Sequence, residues 1–240
     1  MRWLAQAAVP RDIGVFEWLL DPDSWTGPTG ILASAWDTIV LCSVVIIIAV
    51  VVTVPLASWL AHYRRGELTA TWAVTLSRAV PTFAVAGLLV PVALRQGWGF
   101  EPWPILIALL LLALPPIFLN TYTAVRGVDP GAVDAARAMG FSEMDTLTKV
   151  ELALSTSVIF AGIRVAAVTV VATEPIRAFL GGDGLGRYVR DGLGQNNDGL
   201  VIAGAILVAG LAGLTTVIFR LAEGLALPRG VRRLASASDR

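Results

Sequence analysis

The sequence predicts an all-α, polytopic membrane protein of about five transmembrane helices with one structured insertion between them. Three observations carry that expectation. Five stretches are each apolar over about the 20 residues that a 30 Å hydrocarbon layer requires. The mean hydropathy is +0.73, and only 15% of residues are charged, far from a soluble average. Between two apolar runs, residues 128–154 carry helix start and stop signals instead of turn chemistry.

Residues 1–30 place Trp3, Phe16, Trp18, Leu19, Leu20 and Trp25 among Pro10, Pro22 and Pro28. This composition reads as an interfacial segment on the extracytoplasmic side with tryptophans at headgroup depth, and a disordered tail is the competing reading. No apolar run there is long enough for a signal peptide. The predicted permeating domain covers 31–225, followed by a tail over 226–240.

The first span runs from about Trp36 to Leu60, and Tyr63, Arg64 and Arg65 close it. A second runs from about Ala70 to Leu94 and contains Arg78 and Pro81. The third, from about Ile105 to Tyr122, holds the Pro115-Pro116 pair, which predicts a kink whose freed carbonyls need partners from neighbouring helices. The fourth covers about Leu152 to Pro175 and the fifth about Leu200 to Leu221, with a glycine-rich loop from Arg177 to Asp198 between them.

The stretch 128–154 reads as two short helices. Asp129 before Pro130 has the form of an N-cap with proline at the first helical position, and Gly140 suits the residue just past a helix end. Ser142 with Asp145 resembles a capping box, and Met144, Leu147, Val150 and Leu154 then recur at helical spacing. The expected result is a small-residue knob, Asp134-Ala135-Ala136, that another backbone can approach closely.

Orientation follows from lysine and arginine placement. With the N-terminus outside, the cytoplasmic side holds Arg64, Arg65, Arg126, Arg137, Lys149, Arg220, Arg229, Arg232, Arg233 and Arg240. The outside holds Arg2, Arg11, Arg95, Arg177, Arg187 and Arg190. Ten against six puts the two-helix stretch and the C-terminus in the cytoplasm.

Several function classes find no support in the composition. One cysteine, Cys42, allows no intrachain disulfide, and together with one histidine, His62, it offers no zinc set or Cys/His nucleophile. Net charge zero gives no footprint for nucleic acid. The run from Gly181 to Gly186 has no preceding strand and no Lys-Ser or Lys-Thr after it, so it is not a phosphate cradle. It reads as a tight turn, with docking of an external protein as a use. With no Walker sequence, the chain is not expected to be an enzyme or to hold a cofactor or metal.

Asp134-Ala135-Ala136, then Gly140, then a hydrophobic run about ten residues on, resemble the EAA signature of ATP-binding-cassette importer permeases. Leu114-Pro115-Pro116-Ile117, Asn120-Thr121-Tyr122, Val128-Asp129-Pro130, Ala161-Gly162-Ile163-Arg164 and Gly184-Leu185-Gly186 with Tyr188 resemble the quaternary-amine, or osmoprotectant, subfamily. The likeness covers about residues 31–225. It implies a type I importer transmembrane fold in a bacterial-type inner membrane, moving glycine betaine, choline, carnitine or a related solute inward. It also implies a cytoplasmic ATPase dimer that binds the ATP and magnesium, an extracytoplasmic solute-binding protein, and a second permease, identical or paralogous. Asp134, Ala135, Ala136, Gly140, Lys149 and Glu151 become candidates for coupling to the ATPase. Asp134 stands in place of the usual glutamate. Ala153 and Ser157 replace prolines, which predicts a straighter start to the fourth span, and Asp183 replaces a glycine.

Arg164, Asn120 and Glu174 are candidates for the translocation path or for structural charge. An arginine in mid-span costs about 2.5–3.5 kcal/mol on insertion scales, so Arg164 must face protein or water. Glu174 and Asp37 are its nearest candidate partners in kind. The alternatives are a permease for another small solute, such as a methionine-type amino acid or betaine-like thiol, and, from another class, a secondary transporter or membrane scaffold. Trp98 and Trp103 read as interface anchors.

Overall fold

The computed structural model describes residues 14–65, 81–98 and 102–226. Arg78, the first part of the predicted second span and the arginines of the tail lie outside these residues. Among the described residues, four helical runs are long and apolar enough to cross a membrane: Ile31–His62 (α3), Trp103–Arg126 (α5), Glu143–Phe179 and Asp198–Leu225. Thr82–Arg95 (α4) is a shorter apolar helix that begins after Pro81. Each long helical run extends beyond its predicted limits. No strand occurs among the described residues.

The short elements are Val15–Leu20 (α1), Pro22–Trp25 (α2), Pro130–Ala138 (α6), Glu143–Asp145 (α7), Ile176–Phe179 (α9) and Gly186–Gln195 (α10). A π-helix over Thr146–Glu151 joins α7 to Leu152–Thr173 (α8), and Asp198–Ala226 is α11. The start of the fourth span is therefore unbroken, as the missing prolines suggest, but it contains a widened turn. Pro115 and Pro116 lie within α5, which continues through both.

Two compact units divide the chain, and each long helix gives part of its length to each. In the first unit (Met1–Val45, Val80–Leu112, Val168–Leu214), Trp18, Ile31, Leu185, Tyr188, Leu200 and Ala203 form an apolar cluster. Trp18 is 6% exposed and meets the Tyr188 ring edge-on at 5.6 Å. This corrects the headgroup expectation for Trp18: the indole is core, because α1 folds against α10. The glycine-rich loop also needs correction. Residues 186–195 form a helix whose Tyr188 and Gly192, one turn apart, are buried, and the glycines within it mask the helical pattern.

That loop is tied down through Glu174, which is fully buried. Thr38 Oγ1 donates to Glu174 Oε2 at 3.0 Å and accepts from the Leu185 N–H at 3.0 Å. Arg177 lies 3.4 Å from the other carboxylate oxygen, and Arg190 Nη1 donates to the carbonyls of Ala178 and Gly182. Gly184 has φ +95°, and a methyl group on it would sit 2.8 Å from both Glu174 Oε1 and Thr38 Oγ1. Only glycine lets the backbone come this close to the carboxylate.

In the second unit (Ile46–Ala79, Ala113–Ala167, Thr215–Arg240), Ala57, Ala61, Phe118, Tyr122, Val125 and Leu147 pack together. Gly162 on α8 is pressed against α5: a Cβ there would lie 2.5 Å from Asn120 Cβ. Small residues let membrane helices approach this closely where dispersion and hydrogen bonds drive packing.

Gly184→Ala should lower stability by about 1–3 kcal/mol, through both backbone strain and overpacking. Gly140→Ala, also at positive φ but in open space, should cost only the left-handed backbone term of about 1–2 kcal/mol. Thermal unfolding in detergent checks this order, and equal midpoints for the two variants would contradict it.

Candidate functional site

The helix α6 is built from local chemistry. Asp129 Oδ1 accepts from the Gly131 N–H at 3.1 Å and Pro130 occupies the first turn. At the other end the Gly140 N–H donates to the Arg137 carbonyl and the Phe141 N–H to the Ala136 carbonyl. With Gly140 at φ +86°, this is a Schellman ending. Ser142 then caps α7 by accepting from the Asp145 N–H at 3.1 Å. Two residues, Gly140 and Phe141, thus separate one capped helix from the next.

Asp134 and Ala135 are exposed, as are Met139 (71%) and Met144 (64%). Ala136 is 1% exposed and faces inward, so the small pair is divided: Ala135 is available to a partner and Ala136 seats the helix. Lys149 is exposed, pairs with Asp145 one turn earlier, and lies 5.8 Å over the Phe141 ring. Glu151 is 6% exposed, so its side chain faces the protein interior.

Glu151 Oε2 lies 2.7 Å from His62 Nδ1. The other ring nitrogen, Nε2, lies 3.0 Å from Glu143 Oε2. Glu143 in turn accepts two bonds from Arg137, from Nε at 3.1 Å and from Nη2 at 2.9 Å. The carboxylate beside it holds the Arg137 guanidinium above its usual pKa. Arg137, Glu143, His62 and Glu151 therefore form one line of polar contacts from the exposed α6, through the end of α3, to the buried Glu151. Among the described residues, no group of His, Cys, Asp and Glu side chains is arranged to hold a metal.

The π-helix explains why one histidine meets both glutamates. At 100° per residue, positions 143 and 151 of a regular α-helix lie about 80° apart around the axis, and one residue absorbed by a wider turn brings them within about 20°. The Leu152 N–H donates to the Leu147 carbonyl, five residues back, which is that wider turn. His62 escapes the sequence reading because its partners are 81 and 89 positions away. Its position as the last residue of the first span, beside Tyr63-Arg64-Arg65, is the signal that was there to find.

Arg164 is paired with neither Glu174 nor Asp37. Its Nη1 lies 2.8 Å from Glu223 Oε2, with the two side chains 25% and 23% exposed, while Glu174 takes Thr38 and Arg177. Asn120 Nδ2 donates to the Pro116 carbonyl at 2.8 Å, and its Cβ meets Gly162. Arg164, Asn120 and Glu174 thus each make contacts within this chain.

A profile of the family described as "Binding-protein-dependent transport system inner membrane component" matches residues 53–226. The chain belongs to that family. It is 29% identical over 208 residues to the choline transport system permease protein OpuBB of Bacillus subtilis, covering 87% of this chain and 94% of the relative. It is 30% identical over 209 residues to the carnitine transport permease protein OpuCB of Listeria monocytogenes, with the same coverage. Among solved structures, an inward-facing form of the MetNI methionine ABC transporter superposes with a TM-score of 0.70 at 19% identity, over 82% of this chain and 96% of that one. This last likeness shows the transmembrane fold of an ABC importer. The chain is thus a multi-pass inner-membrane permease.

Arg164→Ala leaves the Glu223 carboxylate without its partner. The expected loss lies between the roughly 1 kcal/mol of exposed pairs and the roughly 3–5 kcal/mol of buried ones. The swap Arg164→Glu with Glu223→Arg should regain part of it. Thermal midpoints of the purified permease measure both, and an unchanged midpoint in Arg164→Ala would contradict the pairing.

Proposed function

We propose that this chain is the membrane-spanning half of an ATP-binding-cassette importer for quaternary-amine osmoprotectants of the glycine betaine, choline and carnitine type. It works beside a second permease, an identical copy or a paralogue, with a cytoplasmic ATPase dimer that binds ATP and magnesium and an extracytoplasmic solute-binding protein. The names and near-complete coverage of the choline and carnitine relatives support the substrate class. The lysine and arginine distribution supports an external N-terminus and a cytoplasmic C-terminus.

Coupling is assigned to α6. The observation that carries it is a helix capped at both ends, exposing Asp134 and Ala135 and seated by Ala136. A rigid protrusion with a small side chain at its crest fits a cleft and moves with it. Gly140 supplies the reversal into α7, while Lys149 and Glu151 act from behind, holding Phe141 and His62. Closure of the ATPases on ATP then shifts the permease between inward and outward openings through their different affinities for the two states.

Ala135→Trp places a large ring on that crest while leaving the fold unburdened, since the site is exposed. ATPase co-purifying with the permease, and ATP-driven uptake of labelled glycine betaine, should each fall about tenfold or more, the factor given by 1.4 kcal/mol of lost docking energy. Membrane yield should hold. Undiminished uptake would sink the docking assignment, and competition by methionine but not by choline or carnitine would sink the substrate class.

A further inference from the structure

We infer that His62 is a positioning residue for coupling, the joint through which motion of α6 reaches the first and fourth spans. This rests on the assignment of α6 to the ATPase.

Backbone alone does not make α6 a lever. It lies between Gly127 on one side and Gly140, at φ +86°, on the other, and both links are short irregular turns. A helix held only there swivels when pushed. The apolar cluster behind it, including Ala61 and Leu147, limits how close the elements come but does not set direction, because hydrophobic contact is non-directional. Direction comes from charge-assisted hydrogen bonds, which are short and geometrically strict.

The line of these bonds joins four elements. Arg137 belongs to α6 itself and grips Glu143 through two parallel N–H···O bonds. Glu143 opens α7 and also faces His62 Nε2 at 3.0 Å. His62 ends α3, and its side chain is 2% exposed. From Nδ1 it reaches Glu151, the last residue before α8. A displacement of α6 is thereby imposed on α3 through the ring and on α8 through Glu151.

The residue type matters. An imidazole carries one ring nitrogen on each side, so one short side chain reaches carboxylates on two opposite sides at once. A lysine offers one ammonium point and a glutamine one amide end, and neither spans two acceptors on opposite sides. The side chain is also short and stiff, so a push is transmitted and not absorbed by rotation about single bonds.

The test uses the full complex of permease, ATPase and binding protein in proteoliposomes, reading glycine betaine imported per ATP hydrolysed. His62→Gln should keep ATP hydrolysis but lower that ratio about tenfold, within the usual range of coupling between sites. Glu143→Gln, at a half-exposed position, should lower it similarly, and the double variant should be no worse than the lower single. An unchanged ratio in both single variants overturns the inference, as does a proportional fall of uptake and hydrolysis that tracks less assembled complex. A wild-type complex without ATP-driven uptake overturns the functional reading, and this inference with it.

Discussion

Charge inside an apolar protein must be paired, and in this permease that requirement organises the packing. Removing one member of a buried pair costs several kcal/mol because the other is left without either water or partner. Glu174 is therefore surrounded by Thr38, Arg177 and the glycine loop. Arg164 fixes where α8 meets the end of α11, through Glu223. His62 fixes where α3 ends relative to α7 and the π-helix. Apolar residues far outnumber these groups, yet lipid and protein interior are about equally apolar, so packing alone discriminates weakly between neighbouring helix registers. The few polar joints supply the discrimination.

Glycine does the complementary work. Gly162 lets Asn120 lie against the backbone of α8, and Gly184 lets a loop lie against a carboxylate. Each removes a side chain where two elements must nearly touch. Gly140 is different: nothing crowds it, and its role is to turn the chain between two capped helices. The same residue type thus serves close approach in two places and reversal in a third.

Local chemistry was legible in the sequence and distant pairing was not. Asp129, Pro130, Gly140 and Ser142 act on groups one turn away, so their spacing announces α6 and α7 directly. The long spans are legible because membrane thickness sets their length. The inward turn of Ala136 could not be read, since a nine-residue helix of small side chains has little apolar contrast between its faces. Trp18 suits a headgroup layer and a protein core equally well by composition, and Tyr188, 170 positions away, decides between them. Arg164 chose Glu223, 59 positions away, over carboxylates nearer in sequence, and periodicity carries no signal for such a choice.

The π-helix at Thr146–Glu151 has a further consequence. A wide turn holds one residue more than the rise along the axis needs, so the helix beyond it is out of phase with the helix before it by about 100°. Narrowing that turn to ordinary α geometry would rotate all of α8 about its own axis without breaking the chain. Gly162 would leave Asn120, and Arg164 would leave Glu223. The fourth span therefore carries a stored rotation immediately after α6 and α7 in the chain.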